Sequence, residues 1–209
     1  MRKLIPFLLL GLLSLVGAAF ALLGFVQGNS STSLGTAVNN TLSASGYTEH
    51  LAETTPQGNQ VAEVVYQAPD RLGGWIQSAG RRTHLVIIGT TEYVSVSGSP
   101  TANIHSLVFY KQTTTGAQAV DPAHTYLAYW DRGPSVTDGN TTTVTLSQGG
   151  QTEKLIFTVD GKYVSSFRAV TPGGTIVLKI SEVGTSPSVS LPSGATVKTK
   201  PATGLQPQG

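Results

Sequence analysis

The chain of 209 residues is long enough for one domain with a substantial hydrophobic core. Charged residues make up only 11%, and from residue 27 onward eleven basic side chains balance eleven acidic ones, so the body of the protein offers no electrostatic surface to nucleic acid. The absence of cysteine excludes disulfides, thiolate metal sites, thiol nucleophiles and a lipid-modified cysteine.

The first 26 residues are predicted to be a signal peptide or a signal anchor. Arg2 and Lys3 precede an uncharged apolar run over residues 4–26, which is about as long as a bilayer-spanning helix. A small-x-small cleavage site ends at Ala21. The sequence leaves two alternatives open, an anchor formed by residues 4–26 or secretion after cleavage near Ala21. The positive-inside bias predicts an extracytoplasmic body in either case.

Composition divides the remainder of the chain into three parts. Residues 27–33 form a polar linker, residues 34–198 carry the periodic patterns of a folded domain, and residues 199–209 are predicted to be a disordered tail. The domain begins with an apolar stripe of helical spacing, which consists of Leu34, Val38 and Leu42. We expect a short helix that ends before Gly46 and covers part of a core.

From Tyr47 the pattern changes to the alternation of short β-strands. Eight strand-like runs, separated by turn residues, cover residues 47–54, 60–67, 71–78, 84–89, 91–97, 153–160, 162–170 and 175–184. Pro69 falls between the second and third runs, where it favours a hairpin turn. Glu49 and Glu53 share one face of the first run, which we interpret as a solvated edge strand. The sequence therefore predicts an antiparallel meander.

A second helix is predicted after residue 120. Asp121 is a suitable N-cap, Pro122 suits the first helical position, and Gly133-Pro134 ends the run. Its apolar face consists of Ala123, Tyr126, Leu127 and Trp130. Because an aromatic stripe of this kind is typical of core packing, we expect this face to lie against the sheet.

The loop between the sixth and seventh runs decides which side chains share a face of the sheet. A two-residue loop at Asp160-Gly161 would separate Tyr163 and Phe167 from Phe157. We therefore predict a three-residue loop with Gly161 in the left-handed conformation, which pairs Phe157 with Tyr163. Across the following turn, the same face is expected to receive Ala169, Ile176, Leu178 and Ile180.

The sequence contains no recognisable catalytic motif. The nucleophile elbow, the P-loop and the dinucleotide fingerprint are all absent. Four histidines, His50, His84, His105 and His124, lack the spacing of a metal site. Nothing recommends a hydrolytic triad of His84, a serine and Asp131. We predict a protein that is not an enzyme and that uses no cofactor or metal.

Several motifs together resemble those of a family of envelope lipoproteins. The N-terminal segment, the motifs VVYQAPDRL and HLVIIGTTEYVS, the DP-started helix and the closing meander FTVDGKYVSSFRAVTPGGTIVLKISEVGTSPSVSLP are similar to LolA-like and LppX/LprG-like proteins. The resemblance covers most of residues 34–192. It implies an α+β, mainly β fold, in which short helices close the concave face of a strongly curved antiparallel half-barrel over a cavity for acyl chains. The family's lipobox cysteine is missing, and an uncleaved segment over residues 4–26 could replace it as the anchor.

Two functional hypotheses follow. The first is an extracytoplasmic, monomeric protein that binds lipid or another acyl-chain ligand, as a carrier or chaperone of the cell envelope. Only two short helices are predicted, and the first is rich in small residues, so they offer little volume to fill the concavity of a seven- or eight-stranded sheet and we expect a cavity rather than a dry core. Its lining is predicted to consist of Trp75, Ile87, Leu155, Phe157, Tyr163, Phe167, Leu178 and Ile180. The second hypothesis is a membrane-displayed sensor or protein-interaction module with no transport role, which an uncleaved N-terminal segment would favour.

Overall fold

The computed structural model describes residues 32–99, 103–148 and 151–199. The predicted signal segment, most of the linker and the tail from residue 200 lie outside these residues, and the predicted domain boundaries stay predictions. Within the described part of the chain, no helix combines the length and the apolar character needed to cross a membrane.

Two α-helices and twelve β-strands make up the described chain. The helices are α1, Thr32–Leu42, and α2, Pro122–Leu127. The strands are β1 Gly46–Thr55, β2 Gly58–Gln67, β3 Arg71–Ser78, β4 Arg81–Ile88, β5 Thr91–Ser97, β6 Val108–Thr113, β7 Ser135–Asp138, β8 Thr141–Gln148, β9 Gln151–Asp160, β10 Tyr163–Thr171, β11 Gly174–Ser181 and β12 Thr196–Thr199. A 3₁₀ turn, Ile104–Ser106, precedes β6.

All twelve strands belong to one sheet, in the order β12-β6-β5-β4-β3-β2-β1-β11-β10-β9-β8-β7. Neighbours are antiparallel except β12 and β6, which are parallel. The sheet is curved and unclosed, with few short helices, which confirms the predicted fold class. The sequence pattern predicts eight of these strands and misses β6, β7, β8 and β12, so the expected strand count is too low.

The main core lies between the two helices and one face of the sheet, which we call the concave face. Helix α1 packs on β9 and β10, and α2 packs on β1 and β11. Tyr126 of α2 stacks on Phe167 with ring centroids 5.6 Å apart, and Phe167 meets Phe157 edge-on at 5.1 Å. The aromatic side chain of α2 therefore fills part of the space above the sheet.

Helix α2 begins as predicted and ends earlier. The Asp121 side chain accepts a hydrogen bond from the backbone N–H of His124, which confirms the N-cap. The helix stops at Leu127, so Trp130 lies in the turns that follow it. Its indole packs against Gly35 of α1, where a Cβ atom would come within 2.4 Å of the ring. This close approach requires glycine at that position.

The first strand is central rather than an edge, because β1 pairs with both β2 and β11. Glu49 and Glu53 point to the concave face and are buried, so the expectation of a solvated edge strand is wrong. Tyr47 and Leu51 occupy the alternate positions of the same face and are buried too. The alternation of the strand places both glutamates on the same buried face as their apolar neighbours, although charged side chains usually lie in water.

The loop between β9 and β10 differs from the predicted one. Gly161 has a φ of 59°, in the left-handed region as predicted. However, only Gly161 and Lys162 lie between the strands, so that Tyr163 pairs with Asp160. The predicted pairing of Phe157 with Tyr163 is wrong.

A β-bulge inside β10 then restores the hydrophobic register. It lies between Val164 and Ser166, and beyond it Phe167 pairs with Phe157. Because a bulge inserts one extra residue, it changes which residues of the strand share a face. Val164 and Phe167 both enter the core, whereas Tyr163 stays on the opposite, convex face. Loop length alone, on which the predicted register depends, does not reveal this shift.

Thr41 of α1 supports the bulge from the concave side. Its Oγ1 atom accepts a hydrogen bond from the backbone N–H of Val164 at 2.9 Å and donates one to the carbonyl oxygen of Ala37 at 2.8 Å. Thr41 and Val164 are both fully buried. A buried backbone donor needs a partner, and this hydroxyl group supplies it.

Candidate functional site

A cleft of about 540 Å³ lies on the convex face of the sheet. It is bounded by β2, β3, β4, β6 and the 3₁₀ turn on one side and by the segment that follows β11 on the other. Apolar side chains form much of its wall and include Val65, Trp75, Val86, Ile104, Phe109 and Val189. Small-molecule sites typically have volumes of about 300–1,000 Å³ and mainly apolar linings, so the cleft has the size and the chemistry of a ligand site.

The outer wall of the cleft is formed by residues 185–195, which we call the strap. The backbone N–H of Val189 donates to Gln67 Oε1 at 3.0 Å, and Arg71 Nη1 donates to the carbonyl oxygen of Val189 at 3.2 Å. The Val189 side chain lies above Gly73, where an added Cβ would come within 3.1 Å of Cγ1. The glycine in β3 thus allows the strap to approach the sheet closely.

The strap continues into β12, which extends the sheet beside β6. Thr196 pairs with Val108, and the parallel register continues to Thr199 and Lys111. Phe109 is fully buried although it lies on the convex face, as expected where that face is covered. Backbone pairing between β12 and β6 therefore forms the boundary of the cleft at the edge of the sheet.

One end of the cleft is polar. The guanidinium carbon of Arg82 lies 4.1 Å from the ring centroid of Trp75, and Arg82 Nη2 donates to Gln77 Oε1 at 3.1 Å. His84 pairs with Trp75 across β3 and β4 and is 6% exposed. Burial, and then the charge of Arg82, lowers the pKa of His84 below its usual value, so its ring is neutral at neutral pH. Arg82 Nε and His84 Nε2 are both buried and have no hydrogen-bond partner among the described residues.

Most of the predicted lining residues lie on the concave face instead of in this cleft. Six of them are buried in the main core, namely Ile87, Leu155, Phe157, Phe167, Leu178 and Ile180. The structure brings these six together on one face, as the sequence predicts. They are covered by the helices and by the connection between β6 and α2, in which Ala117 is buried in the same core.

The other two predicted lining residues, Trp75 and Tyr163, lie on the convex face. In β3 the concave positions are Leu72, Gly74 and Ile76, so Trp75 points the other way and lines the cleft. Tyr163 is placed on the convex side by the short loop and the bulge of β10. The expectation that all eight residues share one face is wrong for these two.

The comparisons with known proteins give a similarity of structure only. No protein-family model and no curated protein matches the chain. LprF from Mycobacterium bovis has a TM-score of 0.47 and 13% identity, over 80% of this chain and 100% of that one. The lipoprotein LppX from Mycobacterium tuberculosis has a TM-score of 0.46 and 12% identity, over 76% and 96%. The predicted resemblance to LppX-like structures is confirmed. At these values the likeness says nothing of a ligand.

A second polar cluster lies on the concave face, at the beginning of α2. Glu49 Oε1 accepts from the backbone N–H of Ala123 at 2.7 Å, and the Tyr47 hydroxyl donates to Asp121 Oδ2 at 2.8 Å. His124 Nδ1 lies 2.8 Å from the same oxygen. Burial, the charge of Asp121 and a hydrogen bond to Asp121 raise the pKa of Glu49 well above its usual value. The hydrogen bond from Ala123 to Glu49 connects the first turn of α2 to β1.

The acidic cluster has a structural role in this arrangement. No three His, Asp or Glu side chains of the described chain are placed to hold a metal ion together. Each carboxyl group instead binds the first turn of the helix. The cluster therefore positions α2 above the core.

Sequence reasoning missed the strap and the polar end of the cleft. Gly73 and Gly74 in the middle of a strand are a signal of close backbone approach, and the alternation PSVSLP over residues 187–192 contains the segment that approaches. Arg82 and His84 carry no signal of their own, because their proximity to the strap depends on the path of a distant part of the chain.

Proposed function

We propose that the protein binds a hydrophobic ligand in the cleft beneath the strap. The observation that carries the proposal is the cleft itself, with its volume of about 540 Å³ and its wall of aliphatic and aromatic side chains. Burial of an acyl chain gains about 0.8 kcal/mol for each methylene group, so a chain of moderate length would bind to such a wall.

The proposal includes the extracytoplasmic role predicted from the sequence, a carrier or chaperone for lipid or another acyl-chain ligand. A ligand in an open cleft on the convex face can enter and leave without disturbing the main core. A carrier requires such exchange. The apolar run over residues 4–26 supports a location at or beyond the membrane, either anchored or released by cleavage near Ala21.

The concave face is the second candidate position for the same ligand. The six buried residues there already contact one another and the helices, and Tyr126 stacks on Phe167. An acyl chain between the helices and the sheet would have to displace α2. The cleft needs no such movement, which favours it as the binding site.

The proposal is tested with the neutral fluorescent probe Nile red and by organic extraction of the purified protein. Wild-type protein is expected to bind the probe, Val86→Asp in the cleft wall to lose it, and Val170→Asp to retain it. Val170 is a matched control, because it lies partly exposed on the convex face of β10. Circular dichroism checks that each variant is folded.

Three results would change this conclusion. If the wild-type protein binds no probe and yields no lipid, ligand binding is wrong and the interaction module becomes the better hypothesis. If Val86→Asp binds normally while Phe167→Leu weakens binding, the site is on the concave face. If Val170→Asp loses the probe as well, the effect of the charge is not specific to the cleft.

A further inference from the structure

We infer that the cleft is selective for anionic amphiphiles, with the acyl chain along the apolar wall and the negatively charged headgroup bound by Arg82 and His84. The inference rests on the proposed function and specifies the chemical class of the ligand. A carboxylate or a phosphate monoester at the end of an acyl chain has the required chemistry.

The charge of the cleft favours an anionic ligand. Among the described lining residues, Arg82 alone carries a charge at neutral pH. Its neighbours Trp75 and Gln77 fix the guanidinium group through the ring face and an amide oxygen, and neither is negatively charged. No carboxylate of the described chain forms an ion pair with Arg82. A partly buried cation without a counter-ion favours a ligand that brings one.

The unpartnered polar atoms at this end of the cleft also favour an anion. Arg82 Nε and His84 Nε2 are buried nitrogen atoms without partners in the described structure. The Arg82 nitrogen can only donate, and the neutral His84 ring donates when Nε2 holds the proton. Arg82 Nε, together with His84 Nε2 in the tautomer that holds its proton there, suits an oxyanion at the end of an apolar wall, because hydrogen bonds to a charged acceptor are shorter and stronger than neutral ones.

The apolar wall favours an amphiphile over a free anion. A small anion at Arg82 would leave the wall formed by Val65, Val86 and Phe109 without a partner. A neutral hydrocarbon would leave these two buried nitrogen atoms without partners, which costs binding free energy. Only a molecule with both parts satisfies both ends of the cleft.

The test compares dansyl-aminoundecanoic acid with its methyl ester on the full-length protein. The two probes share chain and fluorophore and differ in charge. We expect the wild-type protein to bind the acid about tenfold or more tightly than the ester. Arg82→Gln should abolish this preference, and Arg82→Lys should keep much of it because the charge remains. Arg81→Gln, a change at an exposed neighbouring arginine, should keep it fully.

The outcomes distinguish the inference from the proposed function. Equal affinities of the wild-type protein for acid and ester, or a preference that survives in Arg82→Gln, would overturn the anionic headgroup while leaving hydrophobic binding in place. Failure of both probes to bind would overturn both. Competition separates the two sources of the anion: dodecanoate should displace the acid probe, and acetate at the same concentration should not. Equal displacement by acetate would show a simple anion site and refute the amphiphile.

Discussion

Replacing Thr41 by valine tests how α1 determines the register of β10. The substitution removes the hydroxyl group and nearly preserves the volume of the side chain. In the wild-type protein this hydroxyl accepts from the backbone N–H of Val164 at 2.9 Å and donates to the carbonyl oxygen of Ala37 at 2.8 Å. Since Thr41 and Val164 are fully buried, the variant leaves the N–H of Val164 without a partner and without access to water.

The expected cost is about 1–3 kcal/mol of the free energy of unfolding, the penalty for leaving one buried donor unsatisfied. The lost hydrogen bond to Ala37 adds less to this cost, because it is an additional, local bond from a side chain of the same helix to the carbonyl oxygen. For a domain of this size, each kcal/mol lowers Tm by about 2–4 °C. The loss should therefore be well resolved in a thermal scan.

Urea denaturation followed by circular dichroism measures the effect. We expect Thr41→Val to lower the midpoint without a change in the slope of the transition. Thr143→Val is the matched control, since Thr143 lies partly exposed on the convex side of β8 and should change stability by less than about 0.5 kcal/mol. If the two variants lose equal stability, the Thr41 hydroxyl does not stabilise the bulge of β10.

Two further predictions concern the buried carboxyl group and the glycines. The raised pKa of Glu49 means that the folded state keeps a proton that the unfolded chain releases above its ordinary pKa, so stability should fall as the pH rises above the ordinary pKa of a glutamate. Glu49→Gln should flatten this part of the Tm profile, and an unchanged slope would show that another group is responsible. Gly74→Ala places a Cβ atom 2.1 Å from a carbonyl oxygen of β2 and should cost about 1–3 kcal/mol or more, whereas Gly173→Ala in an exposed turn should be nearly neutral. Equal effects of the two glycine variants in urea denaturation would contradict the close packing at β3.

Local signals account for the part of the fold that the sequence predicts. The alternation in β1 to β5 and β9 to β11, and the Asp121-Pro122 start of α2, depend on residues close together in the chain. Strands β7, β8 and β12 are short or rich in polar residues, so their apolar alternation is weak. They are strands because neighbouring strands supply hydrogen-bond partners. That information is not local.

The candidate site was less accessible to sequence reasoning for a similar reason. The six concave residues share a face because the hydrophobic pattern of their strands requires it. In β3 the two consecutive glycines, Gly73 and Gly74, fall on opposite faces of the strand. The hydrophobic pattern therefore does not decide which face Trp75 occupies. The cleft exists because the strap crosses the sheet, and Val189 reaches Gly73 over a separation of more than a hundred residues.

The attachment of the strap has a consequence for local opening. It is held by a few hydrogen bonds and by the four-residue strand β12, whose residues are all exposed. The hydrogen bonds are the two of Val189, one from Ser45 Oγ to the carbonyl oxygen of Thr185 at 2.8 Å, and a longer one between His105 Nδ1 and the carbonyl oxygen of Ser193 at 3.4 Å. Segments with so few contacts open with a lower free energy than the core, so the amide hydrogens of β12 should exchange with solvent long before those of β1. A ligand that touches both strap and sheet binds only the closed form and slows this exchange in proportion to its occupancy. Amide exchange at the edge of the sheet would therefore report the filling of the cleft, even for a ligand that has no colour or fluorescence of its own.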